Sequence, residues 1–551
     1  MRGAHKVSDA ATPTNPHSSL NTYHSQLNPM LKKTRLFFSI TLFALITLFF
    51  LDFAGWLPTH FHIVEMIQFI PALLALNWAI IIALLLLTFI FGRVYCSSIC
   101  PLGVYQDIVT RIRKWTSGKK HKKRYKFSPA LNIVRWSFLG ATLLAFLFGF
   151  SFLVGLLDPY SAFGRMTVHL FKPAYQAGNN LLAALLTPTG NHSFYKVGVY
   201  LLSLSSTIIA LITMVVISIM AWRNGRIYCN TVCPVGTMLG FVSKYSLFQI
   251  RFNSDNCTLC GRCSRDCKAN CIDFKNMKVD TSRCINCYNC IDACKESSLK
   301  YRLPNTHHSS LITHHSSLKT NNSQLSTLNS QLNNRRQFLT TLVLTTLAAG
   351  KLMADKTLRL GPKKQVGRQQ PIMPPGALNF DKFSQKCTSC HLCVTKCPSE
   401  VIKPAFLEYG IGGMMQPMMY FDRQFCNYDC TICSEVCPSG ALTHLTQEAK
   451  HHTQMGVVQL YLENCIVYTD QTSCGACSEH CPTQAVSMIP YKDSLTIPTI
   501  NREICVGCGG CEFICPAKPW KAIFVEGISE HKAITIVKEK VEEVEVEGFG
   551  F

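Results

Sequence analysis

Sixteen cysteines between residues 387 and 515 have the spacing that iron–sulfur chemistry requires. The first and last of their four groups read C-x2-C-x2-C-x3-C-P. In that pattern three close thiolates bind three irons of a [4Fe–4S] cube, and the fourth thiolate reaches a neighbouring cube. The two middle groups open with gaps of three and eight residues. The four groups are Cys387, Cys390, Cys393 and Cys397; Cys426, Cys430, Cys433 and Cys437; Cys465, Cys474, Cys477 and Cys481; and Cys505, Cys508, Cys511 and Cys515.

Four such groups predict four cubes arranged as two pairs. Zinc is the main alternative for a single group, because C-x2-C pairs also suit zinc sites. Four groups in series, each ending in Cys-Pro, favour clusters instead. A disulfide framework gives no reason for the spacing to repeat. The pairing order cannot be read from the spacing, and we favour the first group with the fourth and the second with the third.

Eight earlier cysteines form a two-cluster module in two runs of C-x2-C-x2-C-x3-C. By the crossed-ligand rule, the expected ligand sets are Cys257, Cys260, Cys263 and Cys294 for one cube, and Cys284, Cys287, Cys290 and Cys267 for the other. Lys268 and Lys295 stand where proline usually follows the fourth cysteine. Cys271 is left over; it could replace Cys267, but a bystander thiol is the favoured interpretation.

An internal repeat carries four more cysteines. Residues 92–103 match residues 225–236, and each copy contains Tyr-Cys-x3-Cys-Pro. The C-x3-C spacing predicts two thiols on one helical face in each copy. The four thiols are Cys96, Cys100, Cys229 and Cys233. We expect them at the cytoplasmic surface, where they would bind a metal or cluster or act as thiol–disulfide pairs; a helix-end packing motif is the alternative.

Four apolar segments frame these repeats, at about residues 36–51, 69–91, 133–157 and 197–221. A membrane-spanning helix needs about 20 mostly apolar residues, which the last three segments provide. The first is shorter, but it is uncharged and follows Lys32, Lys33 and Arg35; a buried core helix is its alternative. The sequence therefore predicts a four-span domain built from a duplicated two-span unit.

Charge indicates the orientation of these spans. Residues 111–126 hold nine positive charges and no acid, so this loop should be cytoplasmic. The N-terminus and the module of residues 250–300 then lie on the same side. From Asn379 onward the chain carries 13 Lys and Arg against 20 Asp and Glu, whereas the remainder carries 41 against 12. Because the basic part also holds the apolar runs, the imbalance indicates membrane contact and not nucleic-acid binding.

The predicted fold class is an α-helical membrane domain of four spans with α+β ferredoxin-like 4Fe-4S modules. Arg335 and Arg336 precede a short apolar run and predict a twin-arginine export signal or a fifth anchor. Residues 533–547 alternate apolar and charged side chains and predict an edge strand or hairpin. The predicted segments are a disordered tail (1–34), the membrane domain (35–240), the two-cluster module (250–300), a low-complexity linker (301–332), the signal-like segment (333–354) and a four-cluster domain (355–551).

These parts resemble a known pair of proteins. The four spans, the duplicated Cys-x3-Cys-Pro and the two-cluster module resemble the membrane ferredoxin-type subunit of periplasmic nitrate reductase systems, the NapH type. The twin arginines followed by four cluster motifs resemble its exported partner, the NapG type, and the MauN and MauM pair has a similar layout. The chain looks like a fusion of the two, from which it departs by the linker, by the fusion itself and by the lysines after Cys267 and Cys294.

The resemblance implies a multi-pass protein of the inner membrane that oxidises menaquinol from the quinone pool. About six [4Fe–4S] clusters would pass electrons to a periplasmic reductase or small electron carrier, and the C-terminal domain would be periplasmic. We identify no Rossmann glycine run, molybdenum-type domain or haem-attachment site that would supply a terminal substrate site. The alternatives are a maturation factor for a periplasmic metalloenzyme, and electron input from a cytoplasmic donor into the quinone pool.

Quinol oxidation also requires proton acceptors near the bilayer. Acidic and imidazole side chains lie near the predicted outer ends of the spans. For each of them, an ordinary solvated position in the loop is an equally good interpretation. The candidates are Asp52, His60, His62, Glu65, Asp158 and His169.

Overall fold

The computed structural model describes residues 17–52, 55, 57–116, 125–189, 194–200, 202–303 and 367–535. All of these residues except 518–520 belong to one compact unit. The signal-like segment at 333–354 and nearly all of the linker lie outside the described residues.

The described residues between 17 and 243 form mainly helices. The first helix begins at His17, inside the segment that the sequence predicts as a disordered tail. An apolar helix extends easily into preceding polar residues, because adding a residue to an existing helix costs far less than nucleating one. The helices are His17–Leu51, Ile63–Met66, Phe69–Leu74, Trp78–Phe91, Pro101–Thr116, Asn132–Leu147, Ser151–Leu157, Pro159–Met166, Lys172–Leu186, Leu204–Asn224, Ile227–Thr231 and Pro234–Ser243, with short 3-10 and π turns at Thr59–His62, Tyr95–Ile99, Thr167–Phe171 and Thr187–Thr189.

Two of the described helices are long and apolar enough to cross a membrane, Met30–Leu51 and Leu204–Asn224. The expected spans at 69–91 and 133–157 are each broken into two shorter helices. Asn77 starts a new helix because its side chain accepts a hydrogen bond from the Ile80 amide at 3.4 Å. Gly149 has φ of 74°, the left-handed conformation that ends a helix. Four continuous spans are therefore not what the described part of the chain shows.

The two-cluster module is a small α+β unit after the helical domain. Its outer strands, Gln249–Phe252 and Leu299–Arg302, pair antiparallel, with Ile250 opposite Tyr301. Between them, two strands of two residues each form a hairpin in which Ile272 pairs with Val279. The inner elements are the helices Arg262–Asp266 and Asn289–Ala293, the strands Ile272–Asp273 and Lys278–Val279, and a 3-10 turn at Ser254–Asn256.

The C-terminal domain consists of short helices and three antiparallel strand pairs. The final described strand, Ile523–Ala533, pairs with Thr453–Leu460; residues 536–547, where a strand or hairpin is predicted, lie outside the description. The helices are Phe380–Lys386, Leu392–Lys396, Ile432–Glu435, Gln447–His451, Ile466–Thr469, Ala476–Glu479 and Gly510–Ile514, with a 3-10 turn at Leu462–Asn464, and the other strands are Ile402–Pro404, Pro417–Met419, Val486–Pro490 and Thr496–Ile500.

The two cysteine-rich regions contact opposite ends of the first apolar helix. At the beginning of its apolar stretch, Met30–Leu51, Lys32 forms an ion pair with Asp292 of the two-cluster module, at 2.5 Å. At its end, Asp52 forms a buried ion pair with Lys396 of the C-terminal domain, at 2.8 Å. The helical domain therefore lies between the two regions.

Candidate metal centres

The two-cluster module gathers its first set of thiols around a cavity of about 210 Å³. Leu259 and Gly261 have left-handed backbones (φ of 52° and 66°), which bend the cysteine loop tightly. The thiols that line this cavity belong to Cys257, Cys260, Cys263 and Cys294. Three close cysteines and one distant cysteine thus share one site.

The second set of thiols in this module is buried. Cys284, Cys287 and Cys290 lie close to Cys267 from the other run. The Sγ atom of Cys271 is 3.5 Å from that of Cys267, and Cys271 also lies beside Cys284. The leftover cysteine is therefore inside the ligand group and is an alternative ligand, whereas the sequence favoured a bystander.

In the C-terminal domain the first group pairs with the second, and the third pairs with the fourth. This differs from the pairing that the sequence favoured, because groups that follow one another in the chain pack together here. One cavity is lined by Cys397 together with Cys426, Cys430 and Cys433. Another is lined by Cys515 together with Cys465, Cys474 and Cys477.

The remaining cysteines complete the crossed arrangement. Cys437 lies beside the thiols of the first group, and Cys481 beside those of the fourth. The Cys426 amide donates a 2.9 Å hydrogen bond to the Cys508 carbonyl, which joins the two pairs. The four sites therefore follow one another in the order Cys387–Cys393 with Cys437, Cys426–Cys433 with Cys397, Cys505–Cys511 with Cys481, and Cys465–Cys477 with Cys515.

Residues 387–391 also match C-x2-C-H, the pattern of covalent haem attachment, which the sequence analysis did not identify. The structure argues against haem here. Cys387 and Cys390 are grouped with Cys393 and Cys437. The His391 ring is buried and bonds the Met415 carbonyl and the His169 ring, each at 2.8 Å.

The thiol groups fit cubes better than single ions. Among the described residues, no three His, Cys, Asp or Glu side chains are close enough to hold one metal ion. Thiols that line a shared cavity, but do not converge on one point, suit a cluster of several iron atoms and not a single ion. Burial raises the pKa of Cys387, Cys477 and Cys508 to about 12. Binding a cluster as thiolates must therefore release protons.

One charged side chain near a cluster site has no sequence signal. Lys450 is only 2% exposed, and its Nζ lies 3.5 Å from the Cys426 Sγ atom. It also donates to the carbonyls of Asn427 and Cys430, both at 2.5 Å. An ammonium group at this distance would stabilise the negative charge of a cluster bound at the second site.

The four cysteines of the internal repeat come together inside the helical domain. All are 4–5% exposed, and Cys96, Cys100 and Cys233 each lie near Cys229. They are not on one helical face, because Cys100 and Cys233 have extended backbones (ψ of 116° and 119°) and precede the proline that opens the next helix.

The residues predicted as proton acceptors lie in separate parts of the structure. Asp158 caps a helix by accepting from the Ser161 amide at 3.0 Å, and the His169 Nε2 atom lies 2.8 Å from the His391 Nδ1 atom. Asp52 pairs with Lys396, as described above. His62 is half-buried in the turn that it shares with His60.

The last candidate, Glu65, belongs to a buried polar group beside the first C-terminal cluster site. Glu65 and Gln68 are fully buried, and Tyr160 is 1% exposed. The Tyr95 hydroxyl donates to the Gln68 Oε1 atom at 3.1 Å. Glu65 lies beside Tyr160, which in turn lies near Cys390. Tyr160, Tyr95 and Gln68 carried no sequence signal, since only the fold brings them to the cysteine.

Comparisons with known families agree with the cysteine patterns. A family model described as a 4Fe-4S binding domain matches residues 73–123 and again 206–254, one match on each copy of the repeat. Two models described as 4Fe-4S dicluster domains match residues 386–442 and 472–518. The chain therefore holds several 4Fe-4S domains and several clusters. No solved structure matches it.

Curated relatives are ferredoxin-type proteins. The chain is 32% identical over 194 residues to the ferredoxin-type protein NapG of Escherichia coli (strain K12), which covers 33% of this chain and 81% of that protein. It is 32% identical over 155 residues to the methylamine utilization ferredoxin-type protein MauM of Methylobacillus flagellatus. This match covers 26% of this chain and 63% of MauM. The chain is 26% identical over 160 residues to the ferredoxin-type protein NapF of Escherichia coli (strain K12). This match covers 29% of this chain and 87% of NapF.

Proposed function

The chain belongs to the family of ferredoxin-type proteins that includes NapG, and on that premise we propose that it is the electron-transfer component of a membrane-bound quinol dehydrogenase. It oxidises menaquinol in the inner membrane and delivers the electrons to a periplasmic reductase of a nitrate-reductase-like system. The helical domain acts as the NapH-like part, fused to the NapG-like domain in one chain. It has no terminal substrate site of its own.

One observation carries this proposal. The loop of the first C-terminal cluster site is buried against the ends of the apolar helices. Arg165 donates to the Ser389 carbonyl at 3.2 Å, and Thr395 donates to the Phe50 carbonyl at 2.9 Å. The buried ammonium of Lys172 donates to the Thr395 hydroxyl at 2.9 Å. A cluster bound by this loop would lie against the ends of these helices, which is where the proposal places the quinol headgroup.

Menaquinol loses two electrons and two protons when it becomes menaquinone. A bound cube supplies one-electron chemistry, so the two electrons leave one after the other. Glu65, in its carboxylate form, would accept a proton, and the adjacent Tyr160 hydroxyl near Cys390 would relay one by giving its own proton to Glu65 as it receives another. Arg165 and Lys172 hold the cysteine loop in place from the helical side.

The far end of the domain suits an exit to a partner. The site of Cys465, Cys474, Cys477 and Cys515 is the last in the order of four. Around it Leu462 is 39% exposed, Tyr468 51% and Ile489 46%. Exposed apolar side chains at the end of an electron path favour docking of a redox partner.

The test is anaerobic reduction of the purified, iron-loaded protein with a reduced menaquinone analogue, followed by EPR. We expect signals of reduced cubes within the mixing time. Cubes that stay EPR-silent with the quinol, although an EPR-monitored redox titration shows that their midpoint potentials lie within reach of the quinol couple, would overturn the proposal. That result would favour a maturation role or a cytoplasmic donor.

A matched pair of variants locates the point where electrons arrive. Cys390→Ser removes one ligand of the first C-terminal site, so quinol reduction of the other three C-terminal cubes should be lost. Cys474→Ser removes a ligand of the last site and should leave reduction of the first three intact. Dithionite reduction serves in both variants as the measure of cubes retained.

A further inference from the structure

The four buried cysteines of the internal repeat form a site that the ferredoxin groups do not include. Gln106 Nε2 lies 3.3 Å from the Cys229 Sγ atom, and Arg93 Nη2 lies 3.6 Å from the Cys96 Sγ atom. The Gly236 amide donates to the Cys233 Sγ atom at 3.3 Å. Hydrogen-bond donors thus point at the sulfur atoms, as they do around thiolates that carry negative charge.

The two copies of the repeat hold each other through their arginines. Arg93 of the first copy donates to the Cys229 carbonyl at 3.1 Å, and Arg226 of the second donates to the Cys96 carbonyl at 2.7 Å. A Cβ atom at Gly103 or Gly236 would overlap the same two carbonyls. The repeat therefore builds one symmetric site from two halves, not two independent sites.

This site has more buried positive charge than the protein balances. Arg93 and Arg226 are 0% exposed. Asp107 is shared by Arg226, Arg35 and Lys268. Among the described residues, Arg93 has no carboxylate partner, and its Nε and the Nη2 of Arg226 have no hydrogen-bond acceptor. A buried guanidinium without a counter-charge, beside a second one whose carboxylate is shared three ways, indicates an anionic ligand.

We propose that Cys96, Cys100, Cys229 and Cys233 jointly hold an additional iron–sulfur cluster, bound by four thiolates and shared by the two halves of the helical domain. Four thiolates around a cluster core leave a net negative charge, which the two arginines neutralise. A single zinc ion fits less well, because no three metal-binding side chains converge on one point among the described residues. The proposal goes beyond quinol oxidation and holds for any electron donor.

The place of the site indicates what the cluster does. On one side, the Arg226 amide donates to the Lys268 carbonyl at 2.9 Å and Asn230 donates to the Ala269 carbonyl at 3.2 Å, next to Cys267 of the two-cluster module. On the other side, the Tyr228 hydroxyl donates to the Leu157 carbonyl at 3.1 Å, towards the helix that contacts the C-terminal domain.

The cluster is therefore a relay between the two ferredoxin regions. It accepts one electron from one side and gives one electron to the other, so no further oxidant or reductant is needed. This links two regions that the sequence alone leaves without any connecting motif.

The test compares the full-length protein with the double variant Cys100→Ser/Cys233→Ser, both purified anaerobically. If the extra cluster is a cube, iron should fall from about 28 to about 24 atoms per chain, with a matching loss of acid-labile sulfide; a two-iron cluster would start from about 26. Ser98→Ala, in the same buried turn, should keep the full iron content. Equal iron in the double variant and the full-length protein would overturn the proposal.

Two further measurements keep the test decisive if the double variant folds poorly. Mössbauer spectra of the ⁵⁷Fe-labelled wild-type chain should show iron beyond that of six cubes. Arg93→Gln retains every thiol, so it should keep the iron content and make one midpoint potential more negative. Finding the four cysteines of the wild type alkylated as free thiols, or joined as disulfides, would also overturn the proposal.

Discussion

At the scale of single residues, Lys450 gives the sharpest prediction. Its ammonium lies 3.5 Å from the Cys426 Sγ atom in a buried position. Lys450→Met removes a positive charge that stabilises the reduced cluster. The potential of that cube should fall by roughly 60 mV, the equivalent for one electron of a charge-assisted hydrogen bond of about 1.4 kcal/mol. EPR-monitored redox titration measures the shift.

The control for this variant is Lys382→Met, which removes an exposed lysine of the same domain. All four C-terminal potentials should stay unchanged in the control. An unshifted potential in Lys450→Met, with the cube retained, would show that the ammonium is screened from the cluster and acts only by holding the loop carbonyls.

Cluster loading should depend on pH because of the buried thiols. Burial raises the pKa of Cys477 and Cys508 to about 12, so both are protonated at neutral pH when no cluster is bound. Binding as thiolates releases these protons, so the affinity for iron and sulfide should rise with pH, by about tenfold per pH unit for each proton released. Reconstitution of cluster-free protein at pH 6, 7 and 8, with proton release followed by an indicator dye, tests this. Loading that is independent of pH would contradict it.

The residues that do the chemistry were only partly predictable. The cysteines and their crossed use follow from local spacing, because each cube needs three ligands from one loop. Lys450, Tyr160 and Gln68 could not be predicted, since their positions depend on contacts between distant segments. The pairing order was expected wrongly for the same reason: spacing within a group says nothing about which groups pack together.

At the scale of elements, the glycines of the repeat set how closely its helices approach. A Cβ atom at Gly236 would overlap the Cys229 carbonyl and lie 2.9 Å from Arg93 Nη2. Gly236→Ala should therefore lower the unfolding free energy by about 1–3 kcal/mol, a typical cost of overpacking. Gly140→Ala is the control, since a Cβ atom there meets nothing within 4 Å. Thermal unfolding in detergent should show a lower midpoint for the first variant only; equal midpoints would mean that the turn relaxes freely.

The helical elements show where periodicity stops being informative. The apolar runs at 69–91 and 133–157 are long enough to span a bilayer, and the sequence predicts continuous helices there. Asn77 and Gly149 interrupt them through a side-chain cap and a left-handed backbone. Both signals are local and present in the sequence, but hydropathy averaged over 20 residues conceals them. Likewise, proline after Cys100 and Cys233 ends the helix on which a C-x3-C face would depend.

At the scale of the whole molecule, the two ferredoxin regions are separated by the length of one apolar helix. The helical stretch Met30–Leu51 has 22 residues, or about 33 Å at 1.5 Å per residue, close to the thickness of a bilayer core. Lys32 contacts the two-cluster module at its beginning, and Asp52 contacts the C-terminal domain at its end. This separation is the one that the proposed electron path across a membrane requires.

The resulting prediction concerns which side of the membrane each region faces. A protease-cleavable tag inserted after Leu303, next to the two-cluster module, should be protected in sealed right-side-out spheroplasts, whereas the same tag at the C-terminus should be removed. The physical reason is the nine positive charges of residues 111–126, which by the positive-inside rule should keep that end of the helical domain in the cytoplasm. Detergent lysis must expose both tags. Removal of both tags, or of neither, from sealed spheroplasts would place the two regions on one side, and the relay through the four buried thiols would then not cross the membrane.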